Sequence, residues 1–301
     1  MIRIAKDFDH PPAALQSQEV SDAITTLLTT NNRDVIKSDL YRGKTILPDG
    51  TVKYVVVEAL MQLYHDKCAY CECKEFDPQV EHYRPKNRVT SARGHTGYFW
   101  LAFEWSNLVS TCFDCNKIGK GKGNRFPLIG GEVNRVSQAP ALNGNTLDPA
   151  QIRPDQPPLS TERPYLLHPE IDQPEQFFSF NNKGEIKGID IEDRGRKTIE
   201  ICNLNRRNLK YRRQKALDVY VTPIKYILLI FNSNAIDPEG LRAFLKLTFN
   251  GLKSWQSASE EFSLYGKYAY EHFDKIIVPL LPAAYRRTVK EAFWLFKNGQ
   301  L

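Results

Sequence analysis

Two segments near the start of the chain space their apolar residues three or four positions apart. They cover residues 19–30 and 54–65. Residues at this spacing share one face of an α-helix. The pattern therefore predicts two amphipathic helices, the second of which leads directly to Cys68. Before them, residues 1–18 contain Pro11 and Pro12 and predict an extended docking arm.

The pattern changes twice in the second half of the chain. Residues 131–196 are interrupted by proline and glycine and predict a loop-rich linker. Within it, residues 177–180 and 186–191 flank an Asn-Asn-Lys-Gly turn and predict a small β-hairpin. From residue 197 onward the pattern is helical. Four helices are expected there, over residues 208–231 with a kink or break near Pro223, 237–249 with Pro238 at the first position, 257–272 and 282–297.

Composition is that of an ordinary globular protein. Of the 301 residues, 42% are hydrophobic and 25% are charged, and the formal net charge is +6. This charge suits a polyanionic partner but is also common among enzymes that bind none. No apolar stretch approaches the ~20 residues that span a membrane, and the N-terminus lacks the apolar segment of a signal peptide. The sequence therefore predicts a cytoplasmic protein with no membrane partner.

Cysteines are the first residues that indicate chemistry, because five of the six lie within residues 68–115. Four of them form two Cys-x-x-Cys pairs, Cys68 with Cys71 and Cys112 with Cys115. In a reducing compartment, two such pairs predict a zinc site of four thiolates rather than disulfides. Reduced core cysteines are the alternative. Cys73 is a spare thiol that can replace a ligand, and Cys202 is expected to be buried.

An acid–histidine pair, Glu81 and His82, stands between the two cysteine pairs. On a β-strand, neighbouring side chains point to opposite faces, so both can serve one site only if the strand ends or bends there. Pro85 follows closely enough to provide that bend. Further along, Asn107 precedes an apolar residue and Asn116 directly follows the second cysteine pair.

This arrangement resembles the HNH endonuclease motif, in which an acid–histidine pair, a middle asparagine and a Cys-x-x-Cys-Asn segment succeed one another. The resemblance implies a ββα-metal (HNH) module with a structural four-cysteine zinc site, embedded in an α+β, mostly helical protein. It makes His82 the general base and Asn107 the brace of the loop that holds His82. Glu81 and Asn116 become ligands of one catalytic Mg²⁺ or Mn²⁺.

The chain departs from the family pattern at two places. Glu81 stands where aspartate is commoner, and the stretch after Lys117 is unusually rich in glycine. This stretch makes Asn124 a competitor of Asn116 for the catalytic metal. Several basic residues near the motif are expected to contact phosphates weakly, with solvated surface as the alternative. They are Arg84, Lys86, Lys117, Lys120 and Arg125.

The predicted organisation has four parts. Residues 1–53 form the N-terminal arm and helix, and residues 54–130 form the zinc-braced HNH nuclease module. Residues 131–196 are the loop-rich linker with its small hairpin. Residues 197–301 form a helical region that we expect to dock a partner, because it has many aromatic residues and no second acid–histidine pair.

A closer resemblance covers roughly residues 54–215 and is carried mainly by residues 80–86, 98–108 and 123–127. These segments are similar to the nuclease subunit of Septu-type antiphage systems, which is also found beside retrons. The resemblance implies a nucleic acid substrate, with DNA expected and RNA the alternative. It also implies an ATPase partner of the ABC/SMC-like class. Beside a retron, a reverse transcriptase with its RNA/DNA product would be a further partner.

Two other functions compete with this interpretation. One is a standalone restriction-like HNH nuclease, and the other is a non-catalytic, zinc-stabilised module that binds nucleic acid or protein. A degenerate site would be expected to lose His82 or Asn116, and both are present. The chain has no phosphate-binding Gly-x-x-x-x-Gly-Lys-Ser/Thr loop, so any dependence on ATP must come from another protein.

Overall fold

Small two-stranded sheets and many helices make up the protein in a computed structural model, which describes residues 1–143 and 146–301. About half of the residues are helical. The α+β composition thus agrees with the prediction, although helix accounts for about half of the chain rather than most of it. The chain divides into two compact units. Unit one comprises Met1–Phe177 and Gly188–Leu204, and unit two comprises Phe178–Lys187 and Asn205–Leu301.

Unit one begins with residues that pack against its own core. Met1 and Ile4 are buried, and the Ile4 amide donates to the Pro169 carbonyl at 2.9 Å. The predicted docking arm is therefore a packed part of unit one. The elements that follow are α1 (Gln18–Thr30), α2 (Ser38–Arg42), β1 (Lys44–Ile46), β2 (Val52–Tyr54) and α3 (Val55–Tyr64). Helices α1 and α3 confirm the two predicted amphipathic helices, whereas the β1–β2 hairpin was not predicted.

A strand–strand–helix sequence lies at the centre of unit one. It consists of β3 (Gln79–His82), β4 (Leu108–Thr111) and α4 (Phe113–Asn116). The two strands are antiparallel, with Gln79 opposite Thr111 and His82 opposite Leu108. All four residues of β4 are buried, because apolar and small side chains occupy both faces of the strand. This burial fixes the register in which β3 presents Glu81 and His82.

The stretch predicted as a linker contributes to the core of unit one. Leu159, Leu166 and Leu167 are buried there, and the buried Glu162 carboxylate accepts a hydrogen bond from Arg84. Regular elements are short in this region and in the residues after it: β5 (Leu142–Asn143), β6 (Thr146–Leu147), α5 (Pro149–Ile152), β7 (Phe178–Phe180), β8 (Ile186–Gly188) and α6 (Arg194–Cys202). Strands β7 and β8 pair as the predicted hairpin.

Unit two is built mainly from helices. They are α7 (Arg207–Asn232), α8 (Pro238–Ser254), α9 (Ser263–Glu271), α10 (Phe273–Ile276) and α11 (Arg286–Lys297). As predicted, Pro238 is the first residue of α8, and the Asp237 side chain accepts from the Gly240 amide at 2.7 Å to cap it. Aromatic rings fill the core, with the stacked rings of Phe273 and Phe293 3.9 Å apart.

Four helices of unit two differ from the prediction. Helix α8 continues to Ser254, five residues beyond its predicted end. Helix α7 continues through Pro223 without a break, because Val221 and Ile224 on either side are buried in the core. Helix α9 begins at Ser263 rather than at residue 257, since Phe262 adopts a left-handed conformation with φ of 56°. A short 3-10 turn, Ala283–Tyr285, precedes α11. Among the described residues, no helix combines the length and the apolar content that crossing a bilayer requires.

Candidate metal centre and active-site cleft

Four buried cysteines lie together in unit one: Cys68, Cys71, Cys112 and Cys115. Their sulfur atoms are all within 4.8 Å of one another, and the Sγ atoms of Cys71 and Cys112 are 3.7 Å apart. A tetrahedral zinc ion with Zn–S bonds of ~2.3 Å would place its sulfur ligands about 3.8 Å apart. The group therefore has the composition and the spacing to bind a metal such as zinc.

Neighbouring backbone hydrogen bonds hold the two cysteine pairs in place. The Ala69 amide donates to the Ser110 carbonyl at 2.7 Å, which joins the first pair to β4, and the Cys68 amide donates to the Cys73 carbonyl at 2.9 Å. Cys73 lies outside the group of four and is part of the turn that shapes it. Sulfur contacts, that with Cys112 foremost, hold the pKa of the Cys71 thiol well below its usual value.

His82 ends β3 and is buried. Its Nε2 lies 2.9 Å from the carbonyl oxygen of Ala102. Because a carbonyl oxygen can only accept, Nε2 carries the proton and Nδ1 keeps its lone pair in the neutral ring. The Lys86 ammonium lies 3.5 Å from Nδ1. Burial, followed by the charge of Lys86, holds the pKa of His82 well below its usual value, so the ring is neutral near pH 7.

Glu81 and Lys122 form a buried ion pair next to His82. The Lys122 ammonium donates to Glu81 Oε1, to the His82 carbonyl at 2.8 Å and to the Gly123 carbonyl at 3.2 Å. Burial raises the pKa of Glu81, and the charge of Lys122 opposes this rise. The sequence did not predict the pairing of Lys122 with Glu81, because nothing local relates this lysine to an acid 41 positions away.

A cleft of about 610 Å³ contains Glu81, His82, Lys86 and Asn116. The Asn116 amide Nδ2 donates to Gln79 Oε1 at 2.9 Å. Gln79 and Glu81 are two positions apart on β3 and therefore share a face, whereas the His82 side chain leaves the opposite face at the end of the strand. The end of β3 thus brings the acid and the histidine to one cleft.

Helix α2 provides the other wall of this cleft, through Ser38, Tyr41 and Arg42. The Tyr41 ring meets the His82 ring edge-on, with centroids 4.9 Å apart, and the Lys86 ammonium lies 4.7 Å from the Tyr41 ring centroid. Burial raises the pKa of Tyr41. These residues were not predicted, since no sequence signal connects a five-residue helix to a histidine 40 positions further on.

Asn107 holds the loop after His82 against the start of β4. Its Oδ1 accepts from the Arg84 amide at 2.7 Å, and its Nδ2 donates to the carbonyls of Arg84 and Leu101, each at 3.1 Å. The Asn107 carbonyl accepts from the Tyr83 amide at 2.8 Å. The buried Asn107 side chain therefore fixes the backbone after β3, at Arg84, and the backbone before β4, at Leu101.

The expected phosphate contacts divide into two groups. Lys117 and Lys120 are exposed and Lys86 lies in the cleft. Arg84 was wrongly assigned, because it is buried and its guanidinium donates to Glu162 at 2.7 Å and to the Leu159 carbonyl at 2.8 Å. Arg125 is also engaged within the fold, where its Nη2 donates to the Gly121 carbonyl at 2.6 Å and to the Ile201 carbonyl.

The chain is thus an α+β protein with a candidate metal site formed by four cysteines, and with a cleft lined by carboxylate, amide and imidazole groups. Among known proteins, it is similar to Septu protein PtuB from Bacillus mycoides (strain KBAB4), with 31% identity over 181 residues that cover 57% of this chain and 54% of that protein. It also matches Septu protein PtuB from Bacillus thuringiensis, with 31% identity over 84 residues that cover 26% of this chain and 29% of that protein.

A third relative has a different name. Septu protein PtuA from Bacillus mycoides (strain KBAB4) is 31% identical over 158 residues, which cover 50% of this chain and 19% of that protein. No protein-family model matches the chain. The chain spans about half the length of the Bacillus mycoides PtuB, and smaller shares of the other two relatives. The predicted Septu resemblance is confirmed, in that the chain is PtuB-like over about half of its length.

Proposed function

We propose that the chain is a metal-dependent HNH endonuclease, and that it serves in an antiphage defence system together with an ATPase partner. The observation that carries this proposal is the state of His82. Its Nε2–H is bound to the Ala102 carbonyl, its ring is kept neutral by burial, and it lies in one cleft with Glu81 and Asn116. A neutral imidazole held in a single tautomer is equipped to act as a general base.

In the proposed reaction, His82 Nδ1 takes a proton from a water molecule while the water oxygen attacks the phosphorus of a phosphodiester. The bond from phosphorus to the leaving oxygen breaks in the same displacement. Lys86, 3.5 Å from Nδ1, places a positive charge where the phosphate would enter. Asn107 keeps the loop after His82 in place, so that the base does not have to reorganise during the reaction.

The remaining oxygens of the cleft suit a hard cation. In the described part of the chain, Glu81 Oε1 is bound to Lys122, which leaves Oε2, and Asn116 uses Nδ2 toward Gln79, which leaves Oδ1. Carboxylate and amide oxygens are ligands that Mg²⁺ and Mn²⁺ prefer. Such an ion, held by Glu81 and Asn116, would stabilise the charge that develops on the phosphate and the leaving oxygen.

Zinc is proposed for the four cysteines, in a structural role. Four thiolates close the coordination shell and leave no open position for substrate. The two pairs also border β3 and β4, since Ala69 is bonded to Ser110 of β4 and Cys112 directly follows this strand. We infer that zinc holds the strand pair that carries Glu81 and His82, while the softer thiolates and the harder oxygens keep the two metals apart.

The partner is proposed to bind the helical C-terminal region, residues 197–301. One face of α7 carries exposed apolar residues at helix spacing: Tyr211, Val219, Tyr226 and Leu229. The similarity to 19% of Septu protein PtuA supports a connection with a second component, because a segment like this chain occurs there within a longer protein. A reverse transcriptase partner stays a prediction of the sequence resemblance.

Metal dependence tests the proposal. The purified chain should cut DNA only with Mg²⁺ or Mn²⁺, and a mild chelator should stop cleavage while about one zinc stays bound. Adding back Mg²⁺ should restore cutting, and zinc alone should not. Asn116→Ala should raise the Mg²⁺ concentration needed for cleavage, whereas the matched change Asn124→Ala should not. Cleavage that persists without divalent ions other than zinc would refute the proposal.

A further inference from the structure

The hairpin β1–β2 projects into solvent from the wall of the cleft. It pairs Lys44 with Tyr54, Thr45 with Lys53 and Ile46 with Val52. Every residue of the two strands is exposed except Tyr54, which is half-buried. An isolated two-stranded hairpin gains little stability from its own contacts. An element that adds so little packing and leaves its side chains exposed is suited to binding.

The turn and the base of the hairpin are well defined. At the tip, the Leu47 amide donates to the Thr51 carbonyl at 2.8 Å, and Gly50 has φ of 83°, a conformation that glycine adopts at little cost. At the base, Gly43 is buried with φ of 68°, and a Cβ there would clash with the side chains of Val55 and Val56. The hairpin is therefore closely packed at its base and ends in a defined turn at its tip.

The hairpin is continuous with the proposed active site. Helix α2 supplies Tyr41 and Arg42 to the cleft, and it ends at Arg42, directly before Gly43. The Arg42 guanidinium stacks on the ring of Tyr54, with 3.9 Å to the ring centroid, and so connects the cleft wall to β2. A ligand that lies along the hairpin would extend directly toward His82.

The hairpin exposes both basic and apolar side chains. This combination suits a polyanionic ligand that also carries apolar groups. Residues 42–54 contain three basic side chains, Arg42, Lys44 and Lys53, against the single acid Asp49. The ion pair between Lys44 and Asp39 is exposed, so it can exchange for a phosphate contact. Ile46 and Val52 face each other across the strands and are 68% and 47% exposed. Such side chains can pack against thymine methyl groups in a DNA groove.

We propose that the β1–β2 hairpin is a DNA-binding ribbon that enters the major groove of duplex DNA beside the cleft. This rests on the proposed nuclease function and selects duplex DNA as its substrate class. The major groove of B-form DNA is roughly 12 Å wide and admits a two-stranded ribbon. The major groove of A-form RNA is too narrow and deep for side chains to read. A ribbon of this kind therefore distinguishes duplex DNA from duplex RNA.

The test compares two double charge reversals in a His82→Ala chain, which removes cleavage as a complication. Lys44→Glu with Lys53→Glu alters the ribbon. Lys183→Glu with Lys187→Glu makes the same change in charge at two exposed positions of the β7–β8 hairpin, whose strands are otherwise mostly buried. Binding is measured by fluorescence anisotropy with a short labelled DNA duplex, and with an RNA duplex of the same sequence, over a series of salt concentrations. Zinc content and the thermal unfolding midpoint verify that both variants fold.

The ribbon variant should bind duplex DNA at least about tenfold more weakly, and its salt slope should fall by about two, as the loss of two phosphate contacts requires. The control variant should lose less than about twofold in the same titration. The unaltered ribbon should prefer DNA to RNA, and the charge reversal should remove this preference. Equal losses in both variants, an unaffected ribbon variant, equal binding of DNA and RNA, or no DNA binding would each overturn the proposal. Cleavage by the wild-type chain is measured separately, so the nuclease proposal can fail while the ribbon still binds DNA.

Discussion

Lys122 shows how a single buried charge can organise a site. Its ammonium has three N–H donors, and all three are used, toward Glu81, the His82 carbonyl and the Gly123 carbonyl. The contacts join the end of β3 to the loop after the second cysteine pair. Lys122 therefore holds the backbone of the proposed base and balances the charge of the proposed metal ligand.

We predict that Lys122→Met destabilises the fold strongly. Removing one partner of a buried ion pair leaves an uncompensated charge, which typically costs about 3–5 kcal/mol. Lys122 and Glu81 are both buried, so this range applies here. Urea unfolding measures the loss. Adding Glu81→Gln to Lys122→Met should recover a substantial part of it, because the stranded carboxylate is removed. A single variant as stable as the wild type would contradict this role of Lys122.

At the scale of elements, the sequence predicted well those helices and turns whose signals lie in neighbouring residues. Helices α1 and α3 agree with their apolar spacing to within one residue, and the β7–β8 hairpin follows from its turn. The β1–β2 hairpin was missed although its Pro-Asp-Gly turn, residues 48–50, is a recognised signal. Its strands are only three residues long and exposed at all positions but one, so they have no alternating pattern of buried and exposed residues to detect.

Features that depend on distant partners could not be predicted from sequence. The cysteine pairs were recognisable because their spacing carries the chemistry, and the structure brings all four sulfurs together. The burial of Arg84 depends on Glu162, which is 78 positions away in a stretch that resembled a linker. Tyr41 reaches His82 only through the packing of α2. Local sequence cannot specify such contacts, because tertiary packing decides them.

The two cysteine pairs are expected to act as one structural element. We predict that Cys115→Ser loses the bound zinc and unfolds the strand–strand–helix region, since binding energy at such a site is also folding energy. Cys73→Ser is the matched control, because Cys73 is buried nearby but lies outside the group of four. Metal analysis and near-ultraviolet circular dichroism measure the outcome. Zinc loss in the Cys73 variant, with zinc retained in the Cys115 variant, would reverse the assignment.

At the scale of the whole chain, unit two carries the α7 face that we propose as the docking surface for a partner. Truncation after residue 234 would be uninformative, because it removes α8–α11 and exposes the core that these helices form with α7. Point changes are therefore preferable. We predict that Tyr226→Lys with Leu229→Lys reduces co-purification with the proposed ATPase partner at least about tenfold, by placing charges in the proposed apolar interface.

The control for this prediction is Leu247→Lys on α8, which alters an equally exposed apolar residue outside the α7 face. It should leave the complex intact. If both variants or neither variant loses the partner, the α7 face is not the docking surface. Unfolding midpoints close to that of the wild type would verify that unit two is intact in each case.

The role proposed for His82 as the general base is tested by single-turnover cleavage of duplex DNA with a His82→Ala chain. We predict a loss of at least about 100-fold, the scale of general-base catalysis, while the chain stays folded and keeps its zinc. His168→Asn is the matched control, because His168 is likewise buried with its pKa held well below the usual value, yet it does not line the cleft. It should retain cleavage within a few-fold. A His82→Ala chain that cuts DNA at nearly the wild-type rate would show that His82 is not the general base.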